Sequence, residues 1–204
     1  MYKDCEMKIF ALNSTKEFGK EVCFGNWRDF LKRCDERTFP DGESYARPDD
    51  DVRGKDIYII QSLHGVGKES VDAKIKKLAI FNNATKHASA ARVTNVIPYM
   101  AYTRQDRKDK SRAPLSSQVL ADILITSGAS RILSMDWHNN AVQNAYRIPV
   151  DILNPITELS NYLSGTLEEE KNIVVLPPDL GAAERNESLA RKLSGVLNKE
   201  VKVA

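Results

Sequence analysis

The sequence predicts an α/β fold built on a parallel sheet, and two observations carry that prediction. Short β-rich runs alternate with helical patterns along the 204 residues, and the connections between them are short. That alternation favours parallel strands covered on both faces by helices. The length allows one large domain or two modest ones.

In chain order, strands are predicted at residues 8–12, 56–61, 92–97, 131–135, 172–176 and 200–203. Helices are predicted at 70–87, 116–127, 157–164 and 182–197. In the first of these helices Val71, Ile75, Leu78, Ala79 and Phe81 recur at roughly helical spacing, which marks its buried face. A boundary is expected at residues 148–155, where Pro149 and Pro155 bracket a short apolar run. The strand–helix–strand rhythm restarts after it. The expected organisation is a complete first domain over residues 1–153 and the beginning of a similar, incomplete one over 154–204.

Bulk composition narrows the function. Apolar residues make up 42% and charged residues 28%, as in ordinary globular proteins. A net charge of +2 gives no field suited to nucleic acid or to an anionic membrane. The apolar runs at 57–60 and 173–176 are far too short to span a bilayer. The first residues are polar and lack the apolar run of a signal peptide. Cys5, Cys23 and Cys34 sit in no CxxC or His-paired spacing, so neither a disulfide framework nor a zinc site is expected. The chain reads as reduced and cytoplasmic.

In parallel sheets ligands bind beyond the carboxyl ends of the strands, so the residues after each strand matter most. After 92–97 the chain runs Pro-Tyr-Met-Ala-Tyr-Thr-Arg-Gln-Asp-Arg-Lys-Asp over 98–109. Burying so many ionised groups unpaired would cost several kcal/mol each, on the order of a core's whole tolerance, so this is not core sequence. Aromatic faces beside guanidinium groups suit a purine and its phosphates, although a solvated charged loop would look the same locally.

Three other strand ends and one turn carry polar chemistry. Residues 61–70, Gln-Ser-Leu-His-Gly-Val-Gly-Lys-Glu-Ser, lie where a phosphate loop would, but Ser62 and Glu69 break the Walker pattern and a glycine-rich turn fits better. Asp136 and His138 follow the strand at 131–135. In an extended chain they would project together to hold a cation or a water, or serve as a structural pair. Residues 177–185 place Asp179 between a strand and a helix start, either as an anion or cation site or as a plain helix cap. Early in the chain, Phe39-Pro40-Asp41-Gly42-Glu43 is a tight turn, an exposed hairpin tip if nothing more.

Together these segments, in their order, resemble ribose-phosphate pyrophosphokinase, also called phosphoribosyl pyrophosphate synthetase. The resemblance rests on residues 37–43, 60–62, 97–108, 111–116, 135–138, 148–151 and 178–181. It implies two phosphoribosyltransferase-type (type I) domains. It also implies transfer of the diphosphoryl group of ATP to the C1 hydroxyl of ribose 5-phosphate, giving phosphoribosyl pyrophosphate and AMP. Carried over residue by residue, Phe39, Asp41, Gly42 and Glu43 would meet the adenine, on a loop that reaches a neighbouring subunit. Arg104 and Gln105 would hold ATP, with Asp106 in support. His138 and Asp179 would be linked to Mg2+, and Lys108, Arg112 and Ser116 would belong to a regulatory phosphate or ADP region. A homo-oligomer in which dimers build to a hexamer is also implied.

The sequence departs from the family pattern in places. The family's mobile Lys/Arg catalytic loop and its sugar-phosphate loop follow the strand at 200–203, beyond Ala204. The expectation is therefore a truncated form, inactive alone; the alternative is a non-catalytic relative that assembles with the synthetase and regulates it. Trp137 replaces a smaller aliphatic residue and could either crowd or stack near the site. Asn139-Asn140 and Ala182-Ala183-Glu184 also differ from the family pattern.

Overall fold

The computed structural model describes residues 5–65 and 69–204. The glycine-rich turn read in 61–70 lies in part outside the described residues, at 66–68, as does the polar start at 1–4. The chain forms two compact units, Met1–Leu153 and Asn154–Ala204.

In the first unit the elements run β1 (Met7–Ala11), α1 (Lys16–Val22), β2 (Leu31–Lys32), β3 (Cys34–Thr38), β4 (Ser44–Pro48) and β5 (Asp56–Ile60). They continue with α2 (Val71–His87), β6 (Arg92–Ile97), α3 (Ser116–Ser127), β7 (Arg131–Met135) and β8 (Val150–Leu153). Six strands make one sheet in the order β2-β1-β5-β6-β7-β8, and every pairing in it is parallel. Ile9 lies opposite Tyr58, Tyr58 opposite Thr94, and Thr94 opposite Arg131. The predicted parallel α/β fold is observed. β3 and β4 form a separate antiparallel hairpin whose second strand packs on α2.

Burial on both faces explains the apolar strands. Ile57, Ile59 and Ile60 of β5 are all inaccessible, as a central parallel strand requires. Helix α2 lays Ile75, Leu78 and Phe81 on the sheet, with the Phe81 ring 5.4 Å from that of Phe10. It starts where Ser70 Oγ accepts the Ala73 N–H at 3.1 Å, which satisfies one free amide of the first turn. Asn82 of α2 and Asn95 of β6, both fully buried, exchange amide hydrogen bonds of 2.9 and 2.7 Å. These two buried amides are thereby matched to each other.

Besides the hairpin strands β3 and β4, of which only the turn is expected, α1, β2 and β8 have no counterpart among the expected elements. Helix α1 is seven residues long and lies so close to β1 that a Cβ at Gly19 would overlap the Ala11 Cβ. β2 has two residues. β8 was read as part of a boundary because prolines flank it, yet it closes the sheet edge. Ile132 N–H donates to Pro149 O at 3.0 Å and Arg131 Nε to Asp151 Oδ2 at 2.7 Å. Pro149 is tolerated because it precedes an edge strand and contributes only its carbonyl.

The second unit holds α4 (Ile156–Leu167), β9 (Ile173–Val175), α5 (Ala183–Leu197) and β10 (Val201–Val203). β9 and β10 pair in parallel, with Val201 opposite Ile173. Ile173, Ala190, Leu193 and Val201 form a small core with Leu163, Leu167, Leu189 and Leu197 around it. Among the described residues no helix is long and apolar enough to cross a membrane.

Candidate functional site

β6 and β7 are parallel neighbours with Ile97 opposite Ser134, so the loops that follow them leave the sheet at the same rim. The loop after β6 is anchored at its root. Leu63 N–H donates to Tyr99 O at 2.9 Å, and Met100, Ala101 and Thr103 are buried. A turn follows, in which Gln105 N–H donates to Tyr102 O at 3.0 Å. The loop then docks on α3, where Ser117 Oγ donates to Gln105 O at 2.9 Å. Arg104 and Gln105 project into solvent.

Asp106 is half-buried and accepts a hydrogen bond from the Asn139 side-chain amide. That contact ties the Arg104-Gln105-Asp106 segment to the loop carrying Asp136 and His138. Asn139 also caps the short 3-10 turn Asn140–Ala145, with Oδ1 accepting the Ala141 N–H at 2.9 Å. From sequence alone Asn139 stands out only as a departure from the family pattern. Its position directly after His138 was the available signal.

Asp136 and His138 do not continue the strand as an extended chain. β7 ends at Met135, and Asp136 takes a left-handed backbone with φ 44°, so strand alternation does not carry past it. The turn is fixed by Asp136 N–H donating to Leu153 O at 3.1 Å. Asp136 and His138 are nevertheless both exposed, on either side of a buried Trp137. Trp137 is 2% exposed. The indole is a core group whose Nε1–H donates to Ser134 Oγ at 2.6 Å and whose ring lies 5.5 Å from Tyr146.

The turn at 39–43 joins β3 to β4, with Thr38 opposite Ser44. Phe39 N–H donates to Glu43 O at 2.8 Å, Gly42 N–H to Phe39 O at 2.9 Å, and Glu43 N–H to Asp41 Oδ1 at 3.0 Å. Gly42 has φ 90°, a conformation that glycine adopts at no steric cost. Phe39 is 41% exposed. The Arg37 guanidinium carbon lies 4.5 Å from the Tyr45 ring centre and 5.9 Å from that of Phe39, bracing the two aromatic groups of the tip. The tip can therefore present an aromatic face and a carboxylate to a planar ligand.

Lys108 and Arg112 are exposed along the remainder of the loop, Arg112 with φ 66°, and Ser116 opens α3. Asp179 lies in the second unit, where its Oδ1 accepts the Ala182 N–H at 3.0 Å ahead of α5. The contact spans the short 3-10 turn Leu180–Ala182, while α5 itself starts after Ala182 without a side-chain cap. The structure thus brings Arg104, Gln105 and Asp106 together with the His138 loop. The hairpin residues stand on a sheet of their own, and Asp179 belongs to the other unit.

Among the described residues no three His, Cys, Asp or Glu side chains cluster as a metal-binding group. Magnesium prefers oxygen ligands and keeps several waters, so one carboxylate or a water-mediated imidazole suits an ion carried on phosphates. The exposed Asp136 and His138 fit that demand and do not amount to a protein-only cage.

A family model described as the N-terminal domain of ribose phosphate pyrophosphokinase matches residues 7–128. The ribose-phosphate pyrophosphokinase of Bacillus subtilis is 38% identical over 196 residues, covering 94% of this chain and 58% of the relative. That of Fusobacterium nucleatum is 35% identical over 187 residues, covering 92% and 58%. The crystal structure of phosphoribosylpyrophosphate synthetase from Mycobacterium smegmatis superposes with a TM-score of 0.84 at 31% identity, over 97% of this chain and 63% of that one. The chain spans about three fifths of the length of the relatives it matches.

Proposed function

This chain belongs to the ribose-phosphate pyrophosphokinase family, and from that premise we propose that it supplies the nucleotide-binding part of a ribose-phosphate diphosphokinase. The reaction moves the diphosphoryl group of ATP to the C1 hydroxyl of ribose 5-phosphate, releasing AMP. Such a transfer asks little covalent chemistry of the protein; positioning and charge neutralisation carry it.

Each residue then has a task. Arg104 offers a planar fork to phosphate oxygens, and Gln105 adds a neutral amide beside it. Asp106 holds the loop by its bond to Asn139. Phe39, Asp41, Gly42 and Glu43 form the adenine-facing tip of a hairpin that serves a neighbouring subunit of a homo-oligomer. In the first unit His138 would meet, through water, the Mg2+ that accompanies the nucleotide; in the second unit Asp179 is carried over from the family as a magnesium-linked carboxylate. The chemistry such an ion would supply is neutralisation of phosphate charge. Lys108, Arg112 and Ser116 form the regulatory phosphate region. Three free cysteines suit a reducing cytoplasmic setting.

The observation that supports this reading most is the Asp106–Asn139 contact, which joins two loops distant in sequence at one rim of adjacent parallel strands. Arg104→Lys tests it. Lysine keeps the charge and loses the fork, so Mg-ATP affinity falls about tenfold, roughly 1.5 kcal/mol, in an isothermal titration. Unchanged affinity removes Arg104 from the site.

A further inference from the structure

Tyr102 carries a bulky side chain on a left-handed backbone, with φ 61°. Residues of that kind rarely adopt this conformation, and it persists only where the surroundings hold it. Two contacts hold it here. The Tyr102 hydroxyl donates to Asp72 Oδ1 at 2.6 Å, and its carbonyl accepts the Gln105 N–H at 3.0 Å. Just beyond, the Gln105 carbonyl takes the Ser117 hydroxyl at 2.9 Å. The short stretch containing Arg104 is therefore pinned at one end to α2 through Asp72 and at the other to α3 through Ser117.

We infer that Asp72 is a positioning residue for Arg104: by accepting the Tyr102 phenol, it fixes the left-handed turn from which the guanidinium projects. Asp72 lies outside every motif of the sequence, thirty residues before its partner. An acidic residue in the first turn of α2 also suits the helix dipole, but that role needs no phenol. The carboxylate hydrogen bond pushes the Tyr102 phenol above its ordinary range, in keeping with a donor held in its protonated form. A fork that must meet phosphate oxygens in one plane gains from a root that cannot rotate. The step from Asp72 to nucleotide affinity rests on the proposed role of Arg104. The step from Asp72 to loop conformation does not.

Three variants of the full chain, Asp72→Ala, Asp72→Asn and Tyr102→Phe, separate these steps. Asparagine keeps the acceptor oxygen and the shape of the side chain, which guards against a helix start that fails to form. Amide hydrogen exchange is read at Gln105 against Ile97, and Mg-ATP affinity by titration calorimetry. Asp72→Ala and Tyr102→Phe speed exchange at Gln105 and weaken Mg-ATP binding, each by about fivefold for one lost hydrogen bond, while Asp72→Asn stays close to the parent. In the alkaline ultraviolet titration of Asp72→Ala, one tyrosine returns to the ordinary range. Unchanged exchange at Gln105 in Asp72→Ala overturns the inference, as does faster exchange with unaltered Mg-ATP affinity when Arg104→Lys does weaken binding. Failure of the nucleotide reading itself shows differently: Arg104→Lys binds as the parent does, and Gln105 exchange then judges the Asp72 contact alone.

Discussion

Cys34 begins β3 with its thiol 3.5 Å from the Ala11 carbonyl and 3.8 Å from the Glu36 carboxylate. Burial, and then the nearby negative charge of Glu36, push it from 9.0 up to about 12. Because the folded value is raised, the protonated thiol favours the folded state below about pH 9, and that contribution is lost as pH climbs toward 12. At pH 8 the raised thiol stays protonated, so iodoacetamide leaves Cys34 nearly unmodified in the folded chain and labels it in urea. Peptide mass spectrometry checks this; labelling at the rate of an ordinary free thiol would contradict it. Among single residues the sequence singles out the chemically dense Arg104-Gln105-Asp106 segment, and the structure ties it to the loop after β7 through Asp106 and Asn139. It could not show the contacts of Asn139 and Asp72, whose partners lie 33 and 30 residues away. Trp137 looked like a site residue because of its neighbours, whereas its 2% exposure makes it core.

Elements tell a similar story with different physics. The strands at 92–97 and 131–135 and the helix at 116–127 were read to the residue, since each is a coherent run with a clear end. α1, β2 and β8 escaped because they are short and held by packing and edge contacts that local pattern does not encode. Two predictions belong here. Gly42→Val forces a β-branched side chain to φ 90°, at a cost of about 1–3 kcal/mol. It should loosen the hairpin, seen as faster exchange of the Phe39 amide that closes on Glu43; exchange equal to the parent would show that the tip is not set by this turn. In the core, Asn82→Leu strands the Asn95 amide in an inaccessible place and should cost about 1–3 kcal/mol in urea unfolding. Adding Asn95→Ala should then cost less than it does in the parent, because the polar partner is already gone. Strictly additive losses would mean that the two amides do not depend on each other.

At the scale of the molecule, a parallel sheet gathers the ends of strands that are remote in sequence at one rim. The sequence could name the segments that follow the strands. It could not say that Asp106 and Asn139 would bridge two of them, nor that a left-handed residue at 136 would reset the direction of the chain after β7. Those features come from strand pairing and from the edge strand β8, whose Leu153 carbonyl receives the Asp136 amide. The account stands or falls on whether this rim meets a nucleotide. The most direct test is a nitrogen-15 NMR titration of the chain with Mg-ATP. The account predicts saturating shifts at amides 103–106 and 136–139 that are much weakened in Arg104→Lys. Saturable binding that leaves both segments unmoved would contradict it.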